Sequence, residues 1–320
     1  MTFYSCKAEK TVLSFSIEGG RYIYKRWRGI LMNTLKTTML MALLTGIMVA
    51  AGGALGGHSM AFVMLIVSIG MNLFGYWFSD SIVLKSYGAR EVSESEAPEL
   101  YHLVEKLADK AQLPMPKVCI IDSNVPNAFA TGRSPSHAAV AVTTGIMRAL
   151  NYNELSGVLA HELSHVKHRD TLISTIAACM AGVISMIAQI AQFAAIFGGR
   201  SDDDEGSNPI ATLVTIIVAP IAAMLIQMAI SRSREYEADK SGGEICGNPN
   251  YLADALEKIE YYATHAAPMQ QATQATSHLF IVNPLSGAGK TLQSLFSTHP
   301  ATSERIALLR QQASEMRLLR

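Results

Sequence analysis

Long apolar runs alternate along this chain with shorter stretches of amphipathic period. Residues 37–79 carry no charged side chain apart from His58 when protonated, and 171–199 and 208–231 carry none. A hydrocarbon layer about 30 Å thick takes roughly 20 residues of helix to cross. The first run is long enough for two crossings, turning at Gly56-Gly57-His58-Ser59. The pattern predicts four transmembrane helices, at about 37–56, 60–79, 173–197 and 209–230. The period changes between the runs. Ser93-Glu94-Ser95-Glu96 has the form of a capping box, and Leu100, Leu103, Val104 and Leu107 form the apolar stripe of the helix after it. Pro114 and Pro116 end that helix. Two strands, 117–122 and 137–143, flank the N-A-F-A-T-G segment 127–132 and a turn at Ser134-Pro135-Ser136, which predicts a small antiparallel sheet. Asn153 is placed to cap the next helix, whose apolar positions are Leu155, Val158 and Leu159. The predicted class is α+β: a mainly helical domain with a small antiparallel sheet, plus four transmembrane helices.

Charge sets the orientation. Charged residues make up 16% of the chain, against about 25% in ordinary soluble proteins. Arg21, Lys25, Arg26, Arg28 and Lys36 precede the first run, Lys85 and Arg90 follow the second, and Arg232, Arg234 and Lys240 follow the last. Arg200 is offset by Asp202, Asp203, Asp204 and Glu205. By the positive-inside rule both termini face the cytoplasm and the acidic loop faces out. The expected organisation is an N-terminal segment 1–31, two spans in 32–80, a cytoplasmic part 81–170, a membrane hairpin 171–230 and a second cytoplasmic part 231–320. Segment 1–31 reads as an upstream extension, or as a basic stretch lying on anionic lipid. If the first span were a cleaved signal peptide, the second would still bring the chain to the inner face. The zero net charge gives no reason to expect a nucleic-acid partner. The four cysteines form no close pair and read as reduced thiols. A transporter would place charged groups within its spans, and these have none.

The chemistry centres on His161-Glu162-Leu163-Ser164-His165. On a helix, residues i and i+4 share a face, so both imidazoles can reach one ion. Glu162 falls beside that ion, where a carboxylate can take a proton from water. Past the last apolar run, Glu235 and Asp239 have the E-x-x-x-D spacing of a zinc site whose third ligand is a glutamate. The aspartate four residues on can hold a ligating imidazole in its tautomer. The metal set is therefore His161, His165 and Glu235, with one Zn2+ per subunit, Glu162 as base and Asp239 behind a ligand. Substrate backbone needs a sheet edge. The strand around Ala139-Val140-Ala141, with Asn127-Ala128-Phe129 beside it, is the candidate edge, although an ordinary core strand has the same pattern. Ser286 to Thr291 mimics a phosphate loop, but Pro284 stands where glycine is required.

H-E-L-S-H, S-R-S-R-E-Y-E-A-D, N-A-F-A-T-G and T-H-P-A-T-S-E-R together resemble the M48 metallopeptidases, over about residue 32 to the C-terminus. The resemblance implies a gluzincin-like endopeptidase of the bacterial inner membrane. Such an enzyme degrades unfolded or damaged membrane proteins at the cytoplasmic face under stress, alongside other quality-control proteases. It also implies that His299 and Arg305, in H-P-x-x-x-E-R, lie near the site, where they are the candidates to donate to a developing oxyanion. The residues themselves leave another reading open, in which His299 caps a helix and Arg305 pairs with a carboxylate. A peptidase specific for lipidated C-termini, and a scaffold without activity, are the rival functions. The second would require loss of Glu162 or a ligand, and all are present.

Overall fold

The computed structural model describes residues 5–176, 232–265 and 300–318. Helix α1 (Ser5–Ser86) contains both apolar stretches of the first run. Asn72 donates to the Met41 carbonyl at 3.2 Å and to Thr45 Oγ1 at 2.9 Å, across 31 and 27 residues. A straight helix would hold such groups about 40 Å apart at 1.5 Å per residue. The helical chain therefore doubles back, at Gly57, whose φ of 65° lies in the left-handed region that glycine adopts without cost. Gly57–Phe78, 22 residues with mean hydropathy 1.8, is long and apolar enough to cross a membrane. Its large side chains, among them Phe62, Ile66, Leu73, Phe74 and Trp77, are exposed. Thr34–Ala50 is a shorter apolar stretch, so of the expected pair one span is of full length among the described residues. The crossing expected at 173–197 beyond residue 176, the crossing at 209–230 and the acidic loop between them lie outside the described residues.

After α1 come strand β1 (Arg90–Glu91) and helix α2 (Pro98–Ala111). Glu96 accepts from the Ser93 N–H at 2.8 Å and its hydroxyl at 2.9 Å, as a capping box would, but α2 starts later, with Pro98 in the first turn. Proline has no N–H to lose there and its φ suits a helix start. The predicted stripe Leu100, Leu103, Val104 and Leu107 is buried. Strands β2 (Lys117–Ile121), β3 (Ala128–Gly132) and β4 (Ala138–Thr143) complete a sheet of order β1-β2-β4-β3. The β2–β4 pair is parallel, while β1–β2 and β3–β4 are antiparallel, so the sheet is mixed rather than antiparallel as expected. The reason is local. The N-A-F-A-T-G segment is itself a strand and takes the hairpin position next to β4, which leaves β2 to pair on the other side. Its alanines and glycine have low β-propensity, so the strand is hidden from pattern reading.

Helix α3 (Thr144–Ala149) leads to α4 (Tyr152–His168), which carries the H-E-x-x-H residues. Its cap is Asn151 rather than Asn153: Asn151 Oδ1 accepts from the Glu154 N–H at 3.0 Å, and Glu154 accepts in return from the Asn151 N–H at 2.9 Å. Helix α4 is buried on nearly every side. It packs against α2, β3, α5 (Arg232–Cys246) and α6 (Asn250–His265), while α7 (Thr302–Leu318) closes over α5 and α6. Val158, Leu159 and Leu163 of α4 join Val104, Val140, Leu252, Leu256 and Leu309 in one core. Gly157 faces the backbone of Leu252, so a side chain there would push α6 away. Helices α4 and α5, far apart in sequence, thus lie in direct contact, and the site forms between them.

Candidate active site

His161 and His165 sit one turn apart on α4 with their Nε2 atoms 3.2 Å apart. Glu235, in the first turn of α5, places Oε2 3.7 Å from His161 Nε2 and Oε1 3.6 Å from His165 Nε2. These are the ligand atoms of a possible metal cluster, all within 4.8 Å of one another. Zinc–nitrogen and zinc–oxygen bonds of about 2.0–2.2 Å in a tetrahedron put ligand atoms roughly 3.3–3.5 Å apart. The observed gaps bracket that value, so the three residues fit a zinc ion as they stand. Gly242 of α5 makes the approach possible. A Cβ at that position would meet the His161 backbone nitrogen at 2.9 Å.

Charges behind the cluster hold it. Asp239 places Oδ1 2.9 Å from His161 Nδ1, a close contact between a carboxylate and the imidazole. Arg305 of α7 grips that carboxylate with Nε at 2.8 Å and Nη2 at 2.7 Å, and only 1% of its surface is exposed. Burial alone would raise the Asp239 pKa. The Arg305 charge and hydrogen bonds outweigh it and hold the group down at about 2. Burial likewise works to lower the His161 pKa, but the Asp239 and Glu235 carboxylates carry it up to about 9 when no metal competes.

Glu162 is buried, and its Oε2 accepts from the Ala130 N–H of β3 at 3.0 Å. Burial pushes its carboxyl above the usual range, against the pull of His161 and His165. Glu162 is therefore fixed against the strand at the edge of the sheet. That edge is β3. Ala139, Val140 and Ala141 lie on β4, hydrogen-bonded to strands on both sides, so they offer no open edge, contrary to expectation. Of the other expected substrate residues, Ala128 and Phe129 lie on β3 itself, and Asn127 precedes it, its N–H donating to Thr143 Oγ1 at 2.9 Å. Phe129 packs against Tyr87 with ring centroids 5.3 Å apart, which ties β3 to the end of α1.

Arg305 reaches the site but commits two nitrogens to Asp239, the carboxylate pairing that the residues alone allowed. His299 lies outside the described residues. Sequence reasoning missed Ala130, Asp170 and Arg234. Asp170 Oδ2 lies 3.5 Å from His165 Nδ1, and Arg234 Nη1 lies 3.8 Å from the other oxygen of Asp170. Asp170 follows the end of α4, where helical spacing no longer predicts which residues meet.

The match to known proteins agrees with this geometry. The model of peptidase family M48 covers residues 94–313. Proteins named Protease HtpX homolog from Burkholderia mallei (strain SAVP1) and Burkholderia pseudomallei (strain K96243) are each 56% identical over 279 residues, 87% of this chain and 96% of theirs. Among solved structures, Ste24p of S. mikatae aligns with TM-score 0.46 at 17% identity, covering 89% of this chain and 67% of that one. With a family model spanning more than half of the chain and relatives matched over nearly their whole length, the chain belongs to peptidase family M48 and is a zinc metalloprotease, similar to the HtpX proteases.

Proposed function

We propose that the chain is a membrane-bound endopeptidase that cuts unfolded or damaged membrane proteins at the cytoplasmic face of the bacterial inner membrane, as part of a stress response shared with other quality-control proteases. One observation carries the reading: His161, His165 and Glu235 converge at zinc-ligand spacing while Glu162, on the same helix, hydrogen-bonds the edge strand of the sheet. A zinc ion held by the three ligands would polarise a peptide carbonyl and make a nearby water more acidic. Glu162 accepts that water's proton. Burial, by raising its pKa, favours keeping the proton until the leaving nitrogen needs it. Asp239, clamped by Arg305, holds the His161 ring. We assign Arg305 to that role, and assign oxyanion donation to His299 on family resemblance.

An extended substrate pairs with β3. Thr143 N–H bonds the Asn127 carbonyl at 2.9 Å, which sets the phase of the β3–β4 ladder. In an antiparallel ladder the residues alternate, so Ala128 and Ala130 direct their N–H and C=O away from β4. Glu162 already uses the Ala130 N–H, which puts the base in line with a peptide on that edge. Proximity to lipid supports the membrane substrate. Arg133, beyond the end of β3, donates to the Trp77 carbonyl at 3.0 Å and lies 5.9 Å over its ring, at the end of the exposed apolar stretch.

Glu162→Gln tests the mechanism, because it keeps every ligand and removes the base. The purified variant should bind one zinc per chain and cut casein at least 100-fold more slowly than wild type, the scale expected for a general base. Casein cleavage near the wild-type rate would refute the assigned role.

A further inference from the structure

The two imidazoles are supported unequally in the established picture. Each presents Nε2 to the cluster, so each must carry its hydrogen on Nδ1, and a metal-binding histidine gives that hydrogen to a carboxylate, carbonyl or water. For His161 the acceptor is Asp239. His165 has the same requirement, and its side chain is the more exposed of the two, at 17% against 2%.

The fold supplies a carboxylate through the end of α4. Arg169 adopts a left-handed conformation (φ 59°), the Asp170 N–H returns to the His165 carbonyl at 2.9 Å, and the Arg169 N–H returns to the Val166 carbonyl at 3.1 Å. This pair of bonds is the Schellman pattern, usually made with glycine. It folds Asp170 back over the last turn, with Oδ2 3.5 Å from His165 Nδ1. Asp170 is 6% exposed, and Arg234, one residue before the candidate ligand Glu235, stands 3.8 Å from its Oδ1. Lys36 of α1 shares this electrostatic neighbourhood. The arrangement mirrors the other half of the site, where Arg305 holds Asp239 behind His161.

We propose that Asp170 is the positioning residue of His165, fixing its ring and tautomer, and that Arg234 holds Asp170 in place. Unlike the E-x-x-x-D aspartate, it comes from the active-site helix itself. The proposal rests on the reading of His161, His165 and Glu235 as a zinc site. A purely structural role for Asp170 would be to cap the helical stretch 171–176, since its carbonyl already accepts from the Ser174 N–H at 3.3 Å.

The two roles are separable. Asn and Ser cap helices about as well as Asp, but neither offers a carboxylate to Nδ1. Asp170→Asn and Asp170→Ser, made in the full chain in detergent, should bind zinc about 10–100-fold more weakly in chelator competition. Their cobalt-substituted visible spectra should shift, and kcat should fall with KM little changed. Arg234→Gln should move the same readouts in the same direction by less, and it carries the test if an Asp170 variant fails to fold. Wild-type zinc affinity and cobalt spectrum in the folded variants, even with lowered thermal stability, would overturn the proposal and leave Asp170 as a cap. Failure of the wild-type chain itself to bind zinc would instead overturn the metal-site reading beneath it.

Discussion

At the scale of single residues, the site is a set of charges whose partners decide their state. His161 is the clearest case. In metal-free protein its pKa stands at about 9, the effect of burial being outweighed by Asp239 and Glu235, while an unfolded histidine titrates near about 6.5. A group raised on folding stabilises fully below its unfolded value and loses that contribution as pH rises through its folded value. Asp239 has the opposite sign. Held at about 2 by Arg305 against the effect of burial, it stabilises above the usual carboxylate range and loses the contribution only as pH falls through that value. The melting temperature of chelator-treated protein should therefore decline between about pH 6.5 and 9. Added zinc, which takes the same Nε2, should remove the decline. Calorimetry across that range checks this, and a flat metal-free profile counts against it. The candidate ligands His161, His165 and Glu235, and Asp239 behind them, were legible because i,i+4 spacing on a helix brings such residues to one face. Asp170 was not, because it follows a turn at Arg169 whose left-handed geometry has no glycine to announce it.

At the scale of elements, the site depends on how closely α5 approaches α4. Gly242 is where they meet, and Gly242→Ala forces them apart by a few tenths of an ångström at His161. On helix propensity alone the alanine would stabilise α5 by up to about 1 kcal/mol. A packing role predicts the opposite sign: a lower melting temperature and zinc affinity weakened at least tenfold, as Glu235 is drawn away from the histidines. A rise in melting temperature with unchanged zinc binding would show that the contact does not matter. Helices α2 and α4 were legible from their apolar stripes. Their starts were not, because Pro98 and Asn151 outcompeted the nearby candidates Ser93 and Asn153. The sheet was half legible. Strands β2 and β4 are rich in β-branched residues, but β3, the edge strand, sets only Phe129 and Thr131 against two alanines and a glycine and has a weaker signal.

For the whole molecule, the edge strand beside Glu162 leads to one expectation. If substrate adds to β3 as a strand, every second amide of the peptide carries the main-chain pairing. N-methylating an extended peptide inhibitor one position at a time should weaken binding strongly at alternate positions and little at those between. Equal losses at every position would rule out strand addition. The helical hairpin within α1 was legible from hydropathy, and its turn at Gly57 from the glycine pair. The packing of that hairpin against the sheet, through Tyr87 on Phe129 and Trp77 on Arg133, was not, because nothing in a sequence pattern pairs residues so far apart.

The division of the cluster between α4 and α5 also orders events in time. A ribosome releases His161, Glu162 and His165 well before Glu235, with the apolar runs 171–199 and 208–231 made in between. Through that interval the nascent chain holds two imidazoles and a base but lacks the third ligand. The candidate site can close only after the intervening hydrophobic sequence has been synthesised and α5 has docked on α4. A chain stopped at residue 230 should bind zinc far more weakly than the full protein and leave casein intact. Proteolysis by that truncated chain would show that the half-site suffices.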